Sequence, residues 1–92
     1  YPAVRRDLAL LVDRTVKFVD IEKLAYQTES KILKEVTLFD VYEGKNLLPG
    51  KKSYAVSFLL QDESQTLNDA RIEKVMNNMI AAMQNKLGAQ LR

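Results

Sequence analysis

Side chains that could hold a nucleotide occur close together on either side of one polar, glycine-containing loop. They are Asp40, Tyr42, Lys51, Lys52 and Ser53. A tyrosine ring can stack on an unpaired base, an aspartate and a serine can pair with the polar edge of that base, and lysines can contact phosphates. A tyrosine that merely shields a half-exposed sheet is the commoner reason for such a pattern. From these residues alone, both interpretations stay open.

Two further cations, Arg5 and Arg6, begin the first apolar segment of the chain. Arg6 is a candidate phosphate contact on this ground. Asp7 and Asp13 are near enough in sequence to form surface ion pairs with these arginines instead, and such pairs contribute little to stability. The sequence leaves this choice open.

The composition argues against chemistry carried out by the chain itself. It contains no cysteine and no histidine, the residues that most often serve as nucleophile, general base and zinc ligand. Acidic pairs such as Asp62 and Glu63 lack a nucleophilic or basic companion and indicate a solvated turn. We therefore expect no catalytic residue, no metal site and no cofactor in this domain.

The net charge of +2, from 14 basic and 12 acidic residues, is too small for a protein that coats nucleic acid by neutralising phosphates. If RNA is the partner, a few selected contacts must carry the binding.

The chain has the length and composition of a single globular domain spanning residues 1–92. It is 47% hydrophobic and 28% charged, and folding at this size buries roughly 60% of the surface of the unfolded chain. No run approaches the ~20 apolar residues that a membrane helix needs, so we expect no membrane partner and a cytoplasmic location. The chain begins Tyr1-Pro2 without a methionine, from which we expect a segment of a longer polypeptide.

Hydrophobic periodicity predicts six elements. Alternation predicts a strand at residues 6–13, two hairpin strands around a loop at residues 43–52, and a short last strand at residues 89–92. Helical spacing predicts helices at residues 18–30 and from Asn68 to about Leu87, with Met76, Met79 and Met83 filling the core beneath the second helix. Asn68 is a good N-cap and Gly88 a helix-ending signal.

The order strand, helix, strand, strand, helix, strand predicts a ferredoxin-like βαββαβ sandwich of the α+β class, in which two helices cover one face of a four-stranded antiparallel sheet. Right-handed crossovers place the first strand beside the third and the second at an edge. The other face of the sheet stays open.

The hairpin register decides which side chains reach that open face. If Tyr42 opposes Ser53, regular pairing puts Val41 opposite Tyr54, Phe39 opposite Val56 and Thr37 opposite Phe58, all toward the helices. Asp40, Tyr42, Ser53 and Ala55 would then lie together on the open face.

The segment KKSYAVSF at residues 51–58 is a weak match to the third-strand signature of RNA-recognition-motif domains, but it lacks the glycines and the outward aromatic residues of that signature.

Five motifs, taken together, resemble the ferredoxin-fold anticodon-binding domain at the C-terminus of the bacterial phenylalanyl-tRNA synthetase beta subunit. They are YPAVRRDLALLVD at residues 1–13, LFDVYEG at 38–44, PGKKSYAV at 49–56, TL at 66–67 and LGAQLR at 87–92. The resemblance extends over the whole chain in the right order. A single-chain organellar synthetase carries a similar terminal domain, so an organellar origin stays open.

The resemblance implies a domain that binds the anticodon stem-loop of phenylalanine tRNA. It implies that Tyr42 stacks on the first anticodon base, a guanine, while Asp40 and Ser53 make polar contacts with the anticodon. Aminoacylation, with its ATP and magnesium, is then carried out in the alpha subunit of the parent enzyme. The implied partners are phenylalanine tRNA, the rest of the beta subunit and the alpha subunit.

An alternative function is a ferredoxin-like protein-interaction or small-ligand regulatory module that uses the open sheet. An acylphosphatase-like hydrolase is disfavoured, because no glycine-rich phosphate loop joins a suitable nucleophile or base.

Overall fold

The computed structural model describes residues 1–92 and has the predicted order of elements. These are β1 (Val4–Asp13), α1 (Phe18–Thr28), β2 (Leu33–Tyr42), β3 (Lys51–Leu60), α2 (Asp69–Leu87) and β4 (Gln90–Leu91). The strands form one antiparallel sheet in the order β2-β3-β1-β4. The ferredoxin-like prediction is confirmed, including the placement of the second strand at an edge.

Local hydrogen bonds define the helix ends. The Lys17 N–H donates to Asp20 Oδ2 at 3.0 Å, which satisfies a free amide at the start of α1. At the start of α2, the predicted cap is confirmed, since Asn68 Oδ1 accepts from the Arg71 N–H at 2.8 Å. Gly88 ends α2 in a left-handed conformation (φ 63°). Any residue with a Cβ atom would be strained there by about 1 kcal/mol or more.

The core lies between the sheet and the two helices and contains 19 buried apolar residues. Its largest fully buried side chain is Phe58 on β3, which pairs with strands on both sides. Met76, Met79 and Met83 are all buried under α2, as the sequence predicts. The two strands at the centre of the sheet, β1 and β3, are separated in the chain by α1 and β2.

The predicted hairpin register is correct at the loop end and wrong beyond it. Tyr42 opposes Ser53 and Val41 opposes Tyr54, but Leu38 rather than Phe39 opposes Val56. The pairs further along are Thr37 with Ser57 and Val36 with Phe58, not the predicted Thr37 with Phe58. A register shift between Leu38 and Asp40 leaves Phe39 as the extra residue of a β-bulge.

The prediction that Phe39 and Val41 enter the core is wrong for both residues, for different reasons. Phe39 is 57% exposed, because the bulge turns it away from the helices. Val41 shares the helix side of the sheet with buried Tyr54, yet it remains 47% exposed near the end of an edge strand.

The loop after β2 is shorter than predicted and spans residues 43–50. Lys51 and Lys52 belong to β3, since they pair with Asp13 and Val12 of β1. Within the loop, the Leu47 N–H donates to the Gly44 carbonyl at 3.1 Å. Because both ends of the loop lie in paired strands, the loop holds Tyr42 and Ser53 side by side.

At the opposite end of the sheet, Asp62 organises the turn from β3 to α2. Its carboxylate accepts from the Ser64 N–H and the Ser64 hydroxyl, both at 2.8 Å, and forms an ion pair with Arg71. These hydrogen bonds, that of the Ser64 backbone foremost, hold the pKa of the Asp62 carboxyl well below its usual range. The predicted turn is present, but its Asp62 carboxylate is bound by neighbouring groups rather than left to solvent.

Neither helix has the length and apolar character needed to cross a lipid bilayer.

Candidate nucleic-acid interface

The open face of the sheet brings together the side chains that strand alternation grouped. Tyr42 opposes Ser53, and Asp40 opposes Ala55, in the antiparallel pairing of β2 with β3. Directly opposed residues lie on the same face, with Cβ atoms roughly 4.5 to 5.5 Å apart. The predicted cluster of Asp40, Tyr42, Ser53 and Ala55 is therefore confirmed as a structural unit.

The open face continues onto β1 through small and apolar residues. Leu11 opposes Ser53 and Ala9 opposes Ala55, so a low surface runs from Tyr42 across the centre of the sheet. No group of three or more acidic, histidine or cysteine side chains is placed to hold a metal ion. The arrangement offers a ring, an acceptor and a hydroxyl around a shallow floor, which suits a planar polar ligand.

The ring of Tyr42 is held in a defined position at the end of this surface. The Arg92 guanidinium lies over the ring, 5.1 Å from its centroid. The ring also packs so closely on Gly44 that a side chain at that position would strike it. Tyr42 nevertheless remains 37% exposed, so part of its surface is accessible to a ligand.

The contact of Arg92 with the Tyr42 ring is not predicted by the sequence. The backbone N–H of Arg92 donates to the Ala9 carbonyl at 2.9 Å, which fixes the residue beside β1. Strands β1 and β3 therefore lie between the backbone of Arg92 and Tyr42 on β2. The small side chains of Ala9 and Ala55 lie between them on the same face. Arg92 can reach Tyr42 because these residues leave the space free, and no local pattern indicates such a contact.

Ser53 lies lower on this face than the sequence led us to expect. It is only 4% exposed, between its cross-strand neighbours Tyr42 and Leu11. Asp40 is exposed beside it. A ligand edge could meet Asp40 directly, whereas contact with the Ser53 hydroxyl requires the ligand to lie against the floor of the sheet.

The two lysines of the PGKKS segment point in different directions. Lys51 Nζ lies 2.6 Å from Asp13 Oδ1, so this charge is already paired. Lys52 lies over the ring of Tyr54, 4.7 Å from its centroid, on the helix side of the sheet. Both lysines lie close to the loop end of the hairpin, where β3 begins.

The two arginines of β1 lie on opposite faces of the sheet. Arg5 lies on the open face and donates to the Ser57 hydroxyl at 3.0 Å. Arg6 opposes buried Phe58 on the helix side and donates to the Arg5 carbonyl at 2.9 Å. Neither forms the ion pair with Asp7 or Asp13 that the sequence allowed.

The fold and the free sheet define the class of this protein: it is a ferredoxin-like α+β sandwich that keeps one polar, partly aromatic sheet face uncovered. The family model of the ferredoxin-fold anticodon binding domain matches residues 1–92. The chain therefore belongs to the ferredoxin-fold anticodon-binding domain family.

Curated relatives match over the whole chain. The chain is 68% identical to the phenylalanine–tRNA ligase beta subunit of Bacteroides fragilis, 58% to that of Porphyromonas gingivalis and 46% to that of Clostridium tetani. It covers 11 to 12% of the length of each of these relatives.

One solved structure shares the fold alone. A crystal structure of an amidase of the hydantoinase/carbamoylase family from Burkholderia phymatum matches with a TM-score of 0.55 at 11% identity. The match covers 98% of this chain and 27% of that chain.

Proposed function

We propose that this chain is the tRNA-binding module of a phenylalanyl-tRNA synthetase and that its open face recognises the anticodon of phenylalanine tRNA. One observation carries the proposal: the exposed Tyr42 ring stands beside Asp40 and over the low floor at Ser53 and Ala55. The full-length similarity to phenylalanine–tRNA ligase beta subunits supports the identity of the RNA.

In this proposal, Tyr42 stacks on the first anticodon base while Asp40 and Ser53 pair with polar groups of the anticodon. Arg92 is the natural competitor for the ring. An exposed cation–π contact contributes about 0.5 to 1 kcal/mol, whereas stacking of a base on an aromatic residue contributes about 1 to 3 kcal/mol. A base can therefore displace the Arg92 guanidinium from the ring, and Arg92 is then free to contact the RNA backbone.

The proposal assigns no catalytic step to this chain. Aminoacylation, with ATP and magnesium, takes place in the alpha subunit of the parent enzyme, and the domain contributes tRNA affinity and anticodon discrimination. The remainder of the beta subunit and the alpha subunit are its protein partners, in the cytoplasm.

Arg6, Lys51 and Lys52 are proposed as supporting phosphate contacts at the margins of the interface. For Lys51, a phosphate must compete with Asp13, because these two side chains already form an ion pair. For Arg6 and Lys52, the RNA backbone must pass around the edge of the sheet, because both residues lie on the helix side. These three residues therefore add affinity without reading a base.

The proposal is tested by titrating the isotope-labelled chain with the anticodon stem-loop of phenylalanine tRNA. Amide NMR shifts are expected at Ala9, Asp40, Ser53 and Ala55, which share the open face. The amide of Lys74, exposed on α2, serves as an internal reference for the covered side. Shifts confined to the helices, or no shifts at saturating RNA, would contradict binding at the open face.

The proposed phosphate contacts should be visible in the salt dependence of tRNA binding by the synthetase that carries this domain. The variant Lys52→Gln is expected to flatten the dependence of log affinity on log salt by about 0.7 to 0.9 for a lost phosphate contact, with base preference unchanged. Lys74→Gln, which removes an exposed charge from α2, is the matched control and should keep the slope. A changed preference for the first anticodon base with an unchanged slope would rule out the phosphate role.

A further inference from the structure

A second aromatic side chain, Phe39, stands on the open face. The bulge turns it outward, and it is 57% exposed, more than Tyr42 at 37%. It borders a shallow cavity of about 230 Å³ whose other lining residues are Arg5, Asp7, Thr37 and Ser57. Bulges are over-represented next to functional sites, where they redirect a side chain.

We propose that this cavity, here called the Phe39 subsite, binds a second nucleotide of the same single-stranded RNA, next to the one stacked on Tyr42. The inference rests on the proposed function, because it extends the anticodon-binding face toward the far end of the sheet. It differs from that function in the residues used, since none of the five lining residues belongs to the Tyr42 cluster.

The side chains around the cavity match the parts of a nucleotide. The Phe39 ring offers a stacking surface, Asp7 accepts hydrogen bonds from a base amino group, and Arg5 offers a cation for a phosphate. Arg5 is positioned before any ligand arrives, because it donates to the Ser57 hydroxyl at 3.0 Å. The cavity is lined by one aromatic ring, one cation and one carboxylate. Because the core of a protein–protein interface is depleted in charged residues, this lining favours a nucleotide over a protein partner.

The spacing supports two adjacent stacking positions on one strand. Because Phe39 is the extra residue of the bulge, it lies between the levels of Val56 and Ala55 on β3. It is therefore two to three residues from the level of Tyr42, which corresponds to roughly 7 to 10 Å at about 3.3 Å per residue. Asp40 lies between them on the same face. Sheets that recognise single-stranded RNA commonly stack two or three bases on such aromatic residues, so a single extended strand can occupy both positions.

The test uses the intact synthetase and phenylalanine tRNA in which 2-aminopurine replaces one anticodon-loop base at a time. Stacking quenches 2-aminopurine fluorescence, so each bound base reports its own aromatic partner. Phe39→Leu is expected to restore fluorescence at one position adjacent to the Tyr42-stacked base and to weaken tRNA binding about 5- to 140-fold. Phe39→Tyr, which keeps a ring, should retain the quenching.

The experiment distinguishes failure of the Phe39 subsite from failure of the proposed function. If Tyr42→Ala restores fluorescence at one position and Phe39→Leu restores it at none, the Phe39 subsite is refuted while the proposed function stands. If neither variant changes any position, both are refuted. Val19→Ala, which trims an exposed apolar side chain of α1, is the matched control and should leave all positions quenched.

Discussion

Replacement of Tyr42 by alanine in the intact synthetase is expected to weaken binding of phenylalanine tRNA by about 5- to 140-fold. The physical reason is the loss of one base–aromatic stack, which contributes about 1 to 3 kcal/mol, at 1.4 kcal/mol per tenfold change in affinity. Binding of radiolabelled tRNA to the variant and the parent enzyme at one fixed salt concentration measures this effect. Activation of phenylalanine by ATP without tRNA should stay near the parental rate, because the proposed function assigns this chain no part in that step.

Two further measurements separate stacking from a structural role of Tyr42. Tyr42→Phe keeps the ring and should retain most of the affinity, which a role limited to the hydroxyl would not allow. The ring is 37% exposed and lies near a strand end, so Tyr42→Ala should cost about 1 kcal/mol of stability and leave the chain folded at the assay temperature. Parental tRNA affinity in a fully folded Tyr42→Ala enzyme would exclude this residue from the interface.

Replacement of Phe58 by alanine is expected to destabilise the domain by about 3 to 5 kcal/mol. Phe58 is fully buried at the centre of the sheet, and truncation leaves a cavity that the packed core cannot fill by collapse. Small domains have only about 5 to 15 kcal/mol of total stability, so this loss is a large part of the whole. Urea denaturation of the 92-residue chain, followed by circular dichroism, measures the change in free energy of unfolding.

The matched control for this substitution is Phe39→Ala, which removes the same side chain from a neighbouring strand. Because Phe39 is 57% exposed, we expect a loss of about 1 kcal/mol or less. Equal losses at the two positions would mean that Phe39 packs in the core and would contradict the bulge. The pair also separates stability from binding, since only Phe39 lies on the proposed RNA surface.

Hairpin alternation alone could not produce the observed arrangement of β2. Strict alternation puts Val36 and Leu38 on the same face as Asp40 and Tyr42, which would force either two apolar residues into solvent or an acid into the core. The bulge at Phe39 removes this conflict. Val36 and Leu38 oppose core residues Phe58 and Val56, while Asp40 and Tyr42 face outward. The sequence contains the conflict, but the position of the extra residue depends on pairing with β3.

The partners of the charged residues likewise depend on the tertiary structure. Asp13 and Arg5 are near each other in sequence, but the tertiary structure pairs Asp13 with Lys51 and Arg5 with Ser57. Each partner lies on β3, far along the chain. Propensity and spacing within one segment contain no information on such partners, because the partners are chosen by the register between β1 and β3.

The sequence by itself determined the order of the elements, the ferredoxin-like topology and the cluster of Asp40, Tyr42 and Ser53. These follow from periodicity within single segments and from the short hairpin connection, both of which are local properties. Only the tertiary structure decided that Phe39 faces outward and that Arg92 lies over Tyr42. The first feature depends on where the extra residue of β2 falls in its pairing with β3, which core packing against the helices selects, and the second requires the end of the chain to lie beside β1, far in sequence from Tyr42.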